Sequence, residues 1–147
     1  MEQIYPYVQI VHLVCAIIFL GYIFFDVVIL SRLKGALGAD FERVKKAIGS
    51  RAIKIMPVCL FTLIITGGMM MSRWVGSANG GYFGTPLQKI FMLKVTLALI
   101  IAVCVAINLS CRAMGRPAPE FLRVNIHKIA FVFGFIIVLC AKLMFVV

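Results

Sequence analysis

The chain has 147 residues, a hydrophobic content of 63% and a formal net charge of +10. Soluble globular domains are about 45–50% apolar, so this composition, with a mean hydropathy of +1.10, excludes an ordinary soluble domain. Nucleic acid is not an expected partner either, because the positive charge is concentrated in short segments between long apolar runs.

Four apolar segments follow one another along the chain, each close to the about 20 residues that a helix needs to cross a bilayer. Helices are expected because a lipid-exposed sheet edge would leave backbone groups unsatisfied. Short connections make consecutive helices antiparallel neighbours. We therefore predict an all-α polytopic membrane protein, a single domain over residues 1–147. Its antiparallel four-helix bundle is expected to span the bilayer at about residues 7–30, 55–74, 90–111 and 122–147.

The distribution of basic residues predicts the orientation. Segments 31–54 and 112–128 are rich in Lys and Arg, whereas segment 72–89 holds only Arg73 and Lys89. Short cationic loops stay in the cytoplasm, so 31–54 is predicted to be a cytoplasmic loop. Both termini are expected to be periplasmic, in a bacterial inner (plasma) membrane. The bilayer is the predicted partner, since these cations suit anionic headgroups.

Helix-capping, proline and glycine residues predict where the helices begin and end. Asp40 is expected to cap a short amphipathic helix lying on the inner leaflet, with Phe41 on its apolar side. Pro57 is expected in the first turn of the second span, where its missing N–H costs little. Gly115, followed by two prolines, predicts the end of the third helix.

Polar side chains inside the spans are candidate site residues, because an intramembrane ionisable group costs a few kcal/mol. On the first span, a set of residues recurs at helical spacing and shares one face. Lys94 and Asn108 likewise share a face of the third span, being 14 residues apart. The set on the first span comprises His12, Cys15, Phe19, Tyr22 and Asp26.

Depth along the helices, at about 1.5 Å per residue, sorts the polar groups into two layers. The His12 layer is predicted near the periplasmic face and comprises His12, Lys94 and Met69–Met71. The Asp26 layer is predicted near the cytoplasmic face and comprises Asp26, Asn108, Arg51, Arg123, Asn125 and His127.

The His12 layer combines an imidazole with thioethers, which are ligands suited to Cu(I). Consecutive methionines point about 100° apart, so at most two of Met69, Met70 and Met71 can share a site with His12. Three alternatives stay open. In the first, the methionines have no role beyond filling gaps in the packing. In the second, His12 has no role beyond a hydrogen bond to a neighbouring polar group. In the third, Lys94 simply extends its ammonium to the outer headgroups. An ammonium would repel a metal cation and favour an anionic or porphyrin-carboxylate partner instead.

In the Asp26 layer, Asp26 requires a cationic or hydrogen-bonding partner, and an ion pair with Arg123 is expected to close the inner side. His127 is expected to be solvated near the cytoplasmic interface. A haem held between His12 and His127 is disfavoured, because the two rings are expected to differ in depth by about 13 Å. His12 with a methionine or an open position is compatible with a haem iron.

Three stretches carry a resemblance to a known family. HLVCAIIFLGY, residues 12–22, and YFGTPLQKIFMLKVTLALIIAVCVAINLSCR, residues 82–112, resemble the CopD copper-resistance membrane domain, as does RAIKIMPVCLFTLIITG, residues 51–67. The resemblance implies copper transport or resistance. His12 would be a ligand or gate, Met69–Met71 would provide soft sulfur ligands at the outer entry, and Lys94 would be a polar partner inside the bundle. It also implies a periplasmic copper-binding protein as partner.

The positions of His12 and Lys94 are also similar to those in four-helix HemJ-type protoporphyrinogen oxidases. That resemblance implies haem b, with His12 as axial ligand and Lys94 on a propionate, and a quinone or electron carrier as partner. Arg123 and His127 are further candidate cofactor-binding residues. The fourth helix departs from the Arg-x-x-Asn pattern of this family, because Arg123 and Asn125 are separated by one residue instead of two. Catalysis, homo-oligomerisation and a purely accessory role are left open.

Overall fold

Four long helices make up most of the computed structural model, which describes residues 3–146. No strand occurs in that part of the chain, where extended backbone pairs only at an isolated bridge between Gly76 and Gly81. The predicted all-helical class is therefore confirmed for the described residues. The helices are α1 (Tyr5–Phe24), α2 (Phe41–Met71), α3 (Pro86–Ala113) and α4 (Glu120–Leu143).

Three helical stretches are long and apolar enough to cross a membrane. The first is Tyr5–Met71, in which short helical turns join α1 to α2, and the others are α3 and α4. Large apolar side chains cover their outer surfaces, including Ile17, Phe61 and Val103, which are each more than half exposed. An exterior of this kind suits lipid better than water.

The connection between α1 and α2 is short and almost entirely helical. A π-helical turn at Phe25–Ile29 follows α1, then a 3-10 turn at Leu30–Leu33 and one α-helical turn at Lys34–Leu37. The chain reverses at Gly38, whose φ of +49° is a conformation that side chains other than glycine rarely adopt.

Helix α2 corrects the predicted boundaries. It runs without interruption for 31 residues from Phe41, so residues 41–54 of the predicted loop are the first turns of α2 rather than a separate short helix. The physical reason is that its first turns are rich in Glu, Lys, Arg and Ala, which favour helix. Pro57 lies inside the helix rather than in a first turn. Asp40 occupies the N-cap position without a capping hydrogen bond, and its carboxylate lies 3.3 Å from Arg43 instead.

The helices pack as antiparallel neighbours around one core. Helix α1 packs mainly against α2, and α3 mainly against α4, while α1 also contacts α4. Helices α1 and α4 approach each other closely at Gly134, where an added Cβ would overlap the Leu20 side chain. The central cluster of buried residues draws on all four helices and comprises Phe19, Ile23, Cys59, Ile101 and Ala130.

The connection between α2 and α3 is anchored by one buried side chain. Gln88 is 3% exposed, and its amide Nε2 donates to the Asn79 carbonyl at 2.8 Å. Its Oε1 accepts from the backbone N–H of Gly84 and Thr85, while the Thr85 hydroxyl accepts from the Gln88 N–H. This is a capping box. At the other end of α3, Gly115 has a φ of +66° just after the helix, as predicted.

Candidate functional site

The predicted polar face of α1 points into the bundle. Phe19 is buried, and His12, Tyr22 and Asp26 are partly buried between helices. Leu13, on the other side of α1, is 58% exposed. The helical spacing of these residues therefore predicted their orientation correctly.

His12 is held by a hydroxyl group on α2. Its Nδ1 lies 2.8 Å from Thr66 Oγ1, and that hydroxyl donates to the Thr62 carbonyl at 2.6 Å. Because the Thr66 hydroxyl donates to Thr62, its oxygen is placed to accept from His12 in the tautomer that carries the proton on Nδ1. The lone pair of Nε2 is then the one available to a ligand.

Gly67 makes the close approach of α2 to His12 feasible. A Cβ built at Gly67 would lie 3.4 Å from His12 Cε1, whereas one at Gly68 would meet nothing within 4 Å. The side of the imidazole that carries Nδ1 and Cε1 therefore lies against the backbone of α2. A Cβ at 67 would make an ordinary van der Waals contact with the ring, so only side chains larger than that of alanine would press on it.

Lys94 lies in the same layer as His12, on α3. Its ammonium contacts Met144 Sδ at 3.2 Å and lies 4.8 Å from the centre of the Phe91 ring. Within residues 3–146, neither of the two ion pairs formed involves Lys94. The side chain of Lys94 therefore contacts α4 through Met144.

The three consecutive methionines of α2 point in different directions. Met69 is 47% exposed on the outer surface, whereas Met71 packs against a cluster of Val75, Phe91 and Met144. Met144, which contacts Lys94, was not singled out from the sequence. The one feature of the sequence that could have placed Met144 in the His12 layer is its position one turn after Cys140, at the same end of the bundle as the start of α1.

In the Asp26 layer, the partner of Asp26 is His127. Their Oδ2 and Nδ1 atoms lie 2.5 Å apart, and the rings of Tyr22 and His127 pack in a T-shaped arrangement. The predicted pair of Asp26 with Arg123 is wrong, and so is the expectation of a simply solvated His127. Arg123 is one turn of α4 away from His127, and its side chain is exposed. Asn125 donates to the Phe121 carbonyl on its own helix at 3.1 Å.

A cavity of about 790 Å³ opens between all four helices in the Asp26 layer. Tyr22, Asp26, Asn108 and His127 lie on its wall, as does Arg123. Arg51, which was predicted for this layer, is exposed and does not line the cavity.

The two histidines occupy different layers, as expected. His127 pairs with Asp26, which lies 14 residues along α1 from His12, a separation of about 21 Å along the helix axis. The residues predicted to bind a cofactor therefore form two groups, His12 with Lys94 and Arg123 with His127. A haem clamped by both histidines is incompatible with this separation.

His12 offers one ligand nitrogen but no ready-made metal cage. Among residues 3–146, no three His, Cys, Asp or Glu side chains come together closely enough to hold a metal ion. Any metal at His12 would have to complete its coordination with methionine sulfur, water or a cofactor. No family model, curated protein or solved structure matches the chain.

Proposed function

We propose that the chain crosses a bacterial inner membrane four times, with both termini in the periplasm. The antiparallel packing of α1 to α4 and their apolar exteriors support four crossings. The basic residues of segments 31–54 and 112–128 belong to the same end of the bundle, which supports a cytoplasmic location for that end.

Reporter fusions test this topology. Alkaline phosphatase inserted at Ser77 should be active and inserted at Gly35 inactive, while a green fluorescent protein inserted at the same two sites should give the opposite pattern. Activity of the phosphatase at Gly35 would overturn the orientation. Equal phosphatase activity at both sites would contradict the single crossing by α2 that the proposal places between them.

Within this topology, we propose that the His12 layer takes part in copper handling, by transport or resistance. The observation that carries the proposal is the hydrogen bond between His12 and Thr66. Histidines that bind metals commonly donate their second ring N–H to a fixed acceptor, which orients the ring. Here the acceptor is Thr66, and Nε2 is left for Cu(I). Thioethers suit the same ion, and Met70 and Met71 lie partly buried on α2 at this end.

A second candidate function is a haem b redox protein, and the surroundings of Lys94 favour it. Its ammonium lies among Phe91 and Met144 with no carboxylate at ion-pair distance in the described residues. A propionate would supply the missing negative charge. His12 would be the axial ligand through Nε2, and the iron would supply the redox chemistry when bound.

Metal analysis and an optical spectrum of the purified protein separate the two functions. For copper, we expect a colourless protein that retains about one Cu(I) per chain and loses it in His12→Ala. For haem, we expect a Soret band that disappears in His12→Ala and weakens in Lys94→Met. The matched control is His127→Ala, which removes an imidazole from the other layer and should change neither signal.

Thr66→Val provides the sharper test, because it keeps the shape of the side chain and removes the acceptor for His12. We expect weaker copper or haem binding, by about tenfold, with the chain still folded. Copper or haem retained in full by His12→Ala would overturn the proposed site. A protein that binds neither would overturn both functions and leave an accessory role.

A further inference from the structure

The cavity in the Asp26 layer has a positively charged mouth. Five basic residues line it, against two carboxylates, and one of the carboxylates is Asp26, which is paired with His127. This excess of cations at the end of the bundle would attract an anion. The basic residues are Lys34, Lys45, Arg112, Arg123 and Lys128.

The inner part of the same cavity is apolar. Phe19 and Ile23 of α1 face Met56 of α2 there, with Val105 and Ala130 from the other two helices. A free inorganic anion would gain nothing from these walls, whereas a hydrocarbon chain would be removed from water by them. The cavity therefore suits a molecule with one apolar end and one anionic end.

The cavity is elongated. Its lining runs from Phe19 of α1 to Lys34, past the end of that helix, which is about 22 Å at the rise of a helix. An elongated cavity of this kind suits an extended chain lying along the helices.

We propose that this cavity binds an acidic lipid, with its acyl chain between Phe19 and Met56 and its carboxylate or phosphate head among the basic residues of the mouth. His127 has a part in this site, because its contact with Asp26 keeps a bare carboxylate from facing the anionic ligand. The proposal is independent of copper or haem at His12.

Binding of oleate to the full-length protein in phosphatidylcholine nanodiscs tests the proposal. Isothermal titration should show saturable binding of oleate and none of oleyl alcohol, which has the same chain and a neutral head. Inorganic phosphate, which has no chain, should also not bind. Equal binding of oleate and oleyl alcohol would overturn the role of the basic mouth.

Two variants locate the ligand. Arg123→Gln with Lys128→Gln should weaken oleate binding by roughly 25-fold, at about fivefold for each cation removed. The matched control is Lys89→Gln with Lys142→Gln, which removes two exposed cations outside the cavity wall and should leave the affinity unchanged. Equal losses in both double variants would show that only net charge matters and would overturn the site.

Gly49→Phe tests the apolar part. Gly49 lines the cavity, and a Cβ there meets nothing within 4 Å, so the ring enters the cavity without a clash at its root. Oleate binding should be lost while the melting temperature is maintained. Unchanged affinity in this variant would overturn the proposal. Displacement of oleate by phosphatidylglycerol added to the nanodisc would identify a bilayer phospholipid as the source, and its failure a free fatty acid.

Discussion

His127 Nδ1 lies 2.5 Å from Asp26 Oδ2, and this contact joins α4 to the π-helical turn that follows α1. A π turn adds a residue to the helical repeat and changes the direction of the side chains that follow. Asp26 lies inside this turn and is mostly buried, whereas the second ion pair among the described residues, Asp40 with Arg43, is on the surface.

Asp26→Asn should destabilise the fold by about 1–3 kcal/mol, because it leaves His127 beside a neutral amide in a partly buried position. Asp40→Asn is the matched control. Its pair is solvent-exposed, so no measurable change is expected. Denaturation of the detergent-solubilised variants compares the two, and equal effects would contradict the structural role of the Asp26 pair.

Gly67→Val should disrupt the His12 layer. The added side chain would press on the His12 ring and separate it from Thr66, so copper or haem affinity should fall at least about tenfold. Gly68→Val makes the same change on the adjacent residue, which has open space, and should retain ligand. Metal content or the optical spectrum provides the measurement. Loss in both variants would indicate a general effect of valine on α2 instead.

Gly134→Val should lower the melting temperature, because the new side chain would collide with Leu20 where α4 crosses α1. Overpacking of this kind costs about 1–3 kcal/mol. Gly21→Val is the control. Gly21 is also inside a helix, and a Cβ at that position meets nothing within 4 Å. A variant as stable as the control would place α1 and α4 farther apart than described.

Gln88→Ala should loosen the connection between α2 and α3. It removes the reciprocal capping bonds with Thr85 and the bond to the Asn79 carbonyl, with a combined cost of about 1–3 kcal/mol. Lys89→Ala, on the exposed neighbouring residue, is the control. Limited proteolysis within residues 72–85 should become faster in Gln88→Ala alone. Similar cleavage rates for the two variants would argue against the anchoring role.

Residue spacing predicted the polar face of α1 because helical periodicity is a local property. The positions of His12, Phe19 and Asp26 at multiples of seven fix their common direction, whatever the neighbouring helices are. The end of α3 at Gly115 followed from equally local chemistry. The capping box at Thr85 could also have been read, because the T-x-x-Q spacing before an apolar run is its known signature.

The partners across helices could not be read in the same way. Asp26 was matched with Arg123 by charge, but the choice between Arg123 and His127 depends on the rotation of α4 about its axis, which long-range packing sets. The start of α2 was predicted too late in the chain. Residues 41–54 are good helix formers but highly charged, so the sequence alone does not distinguish them from a surface loop. The contact of Lys94 with Met144 is of the same long-range kind.

The uninterrupted length of α2 has a mechanical consequence. At about 1.5 Å per residue its 31 residues measure roughly 46 Å, against a hydrocarbon thickness of about 30 Å. The surplus must project from the bilayer or be absorbed by tilt. In the membrane topology proposed above, a push on the basic end of this helix would be transmitted along it towards Thr66 and Gly67, with Pro57 as the point where the helix can bend.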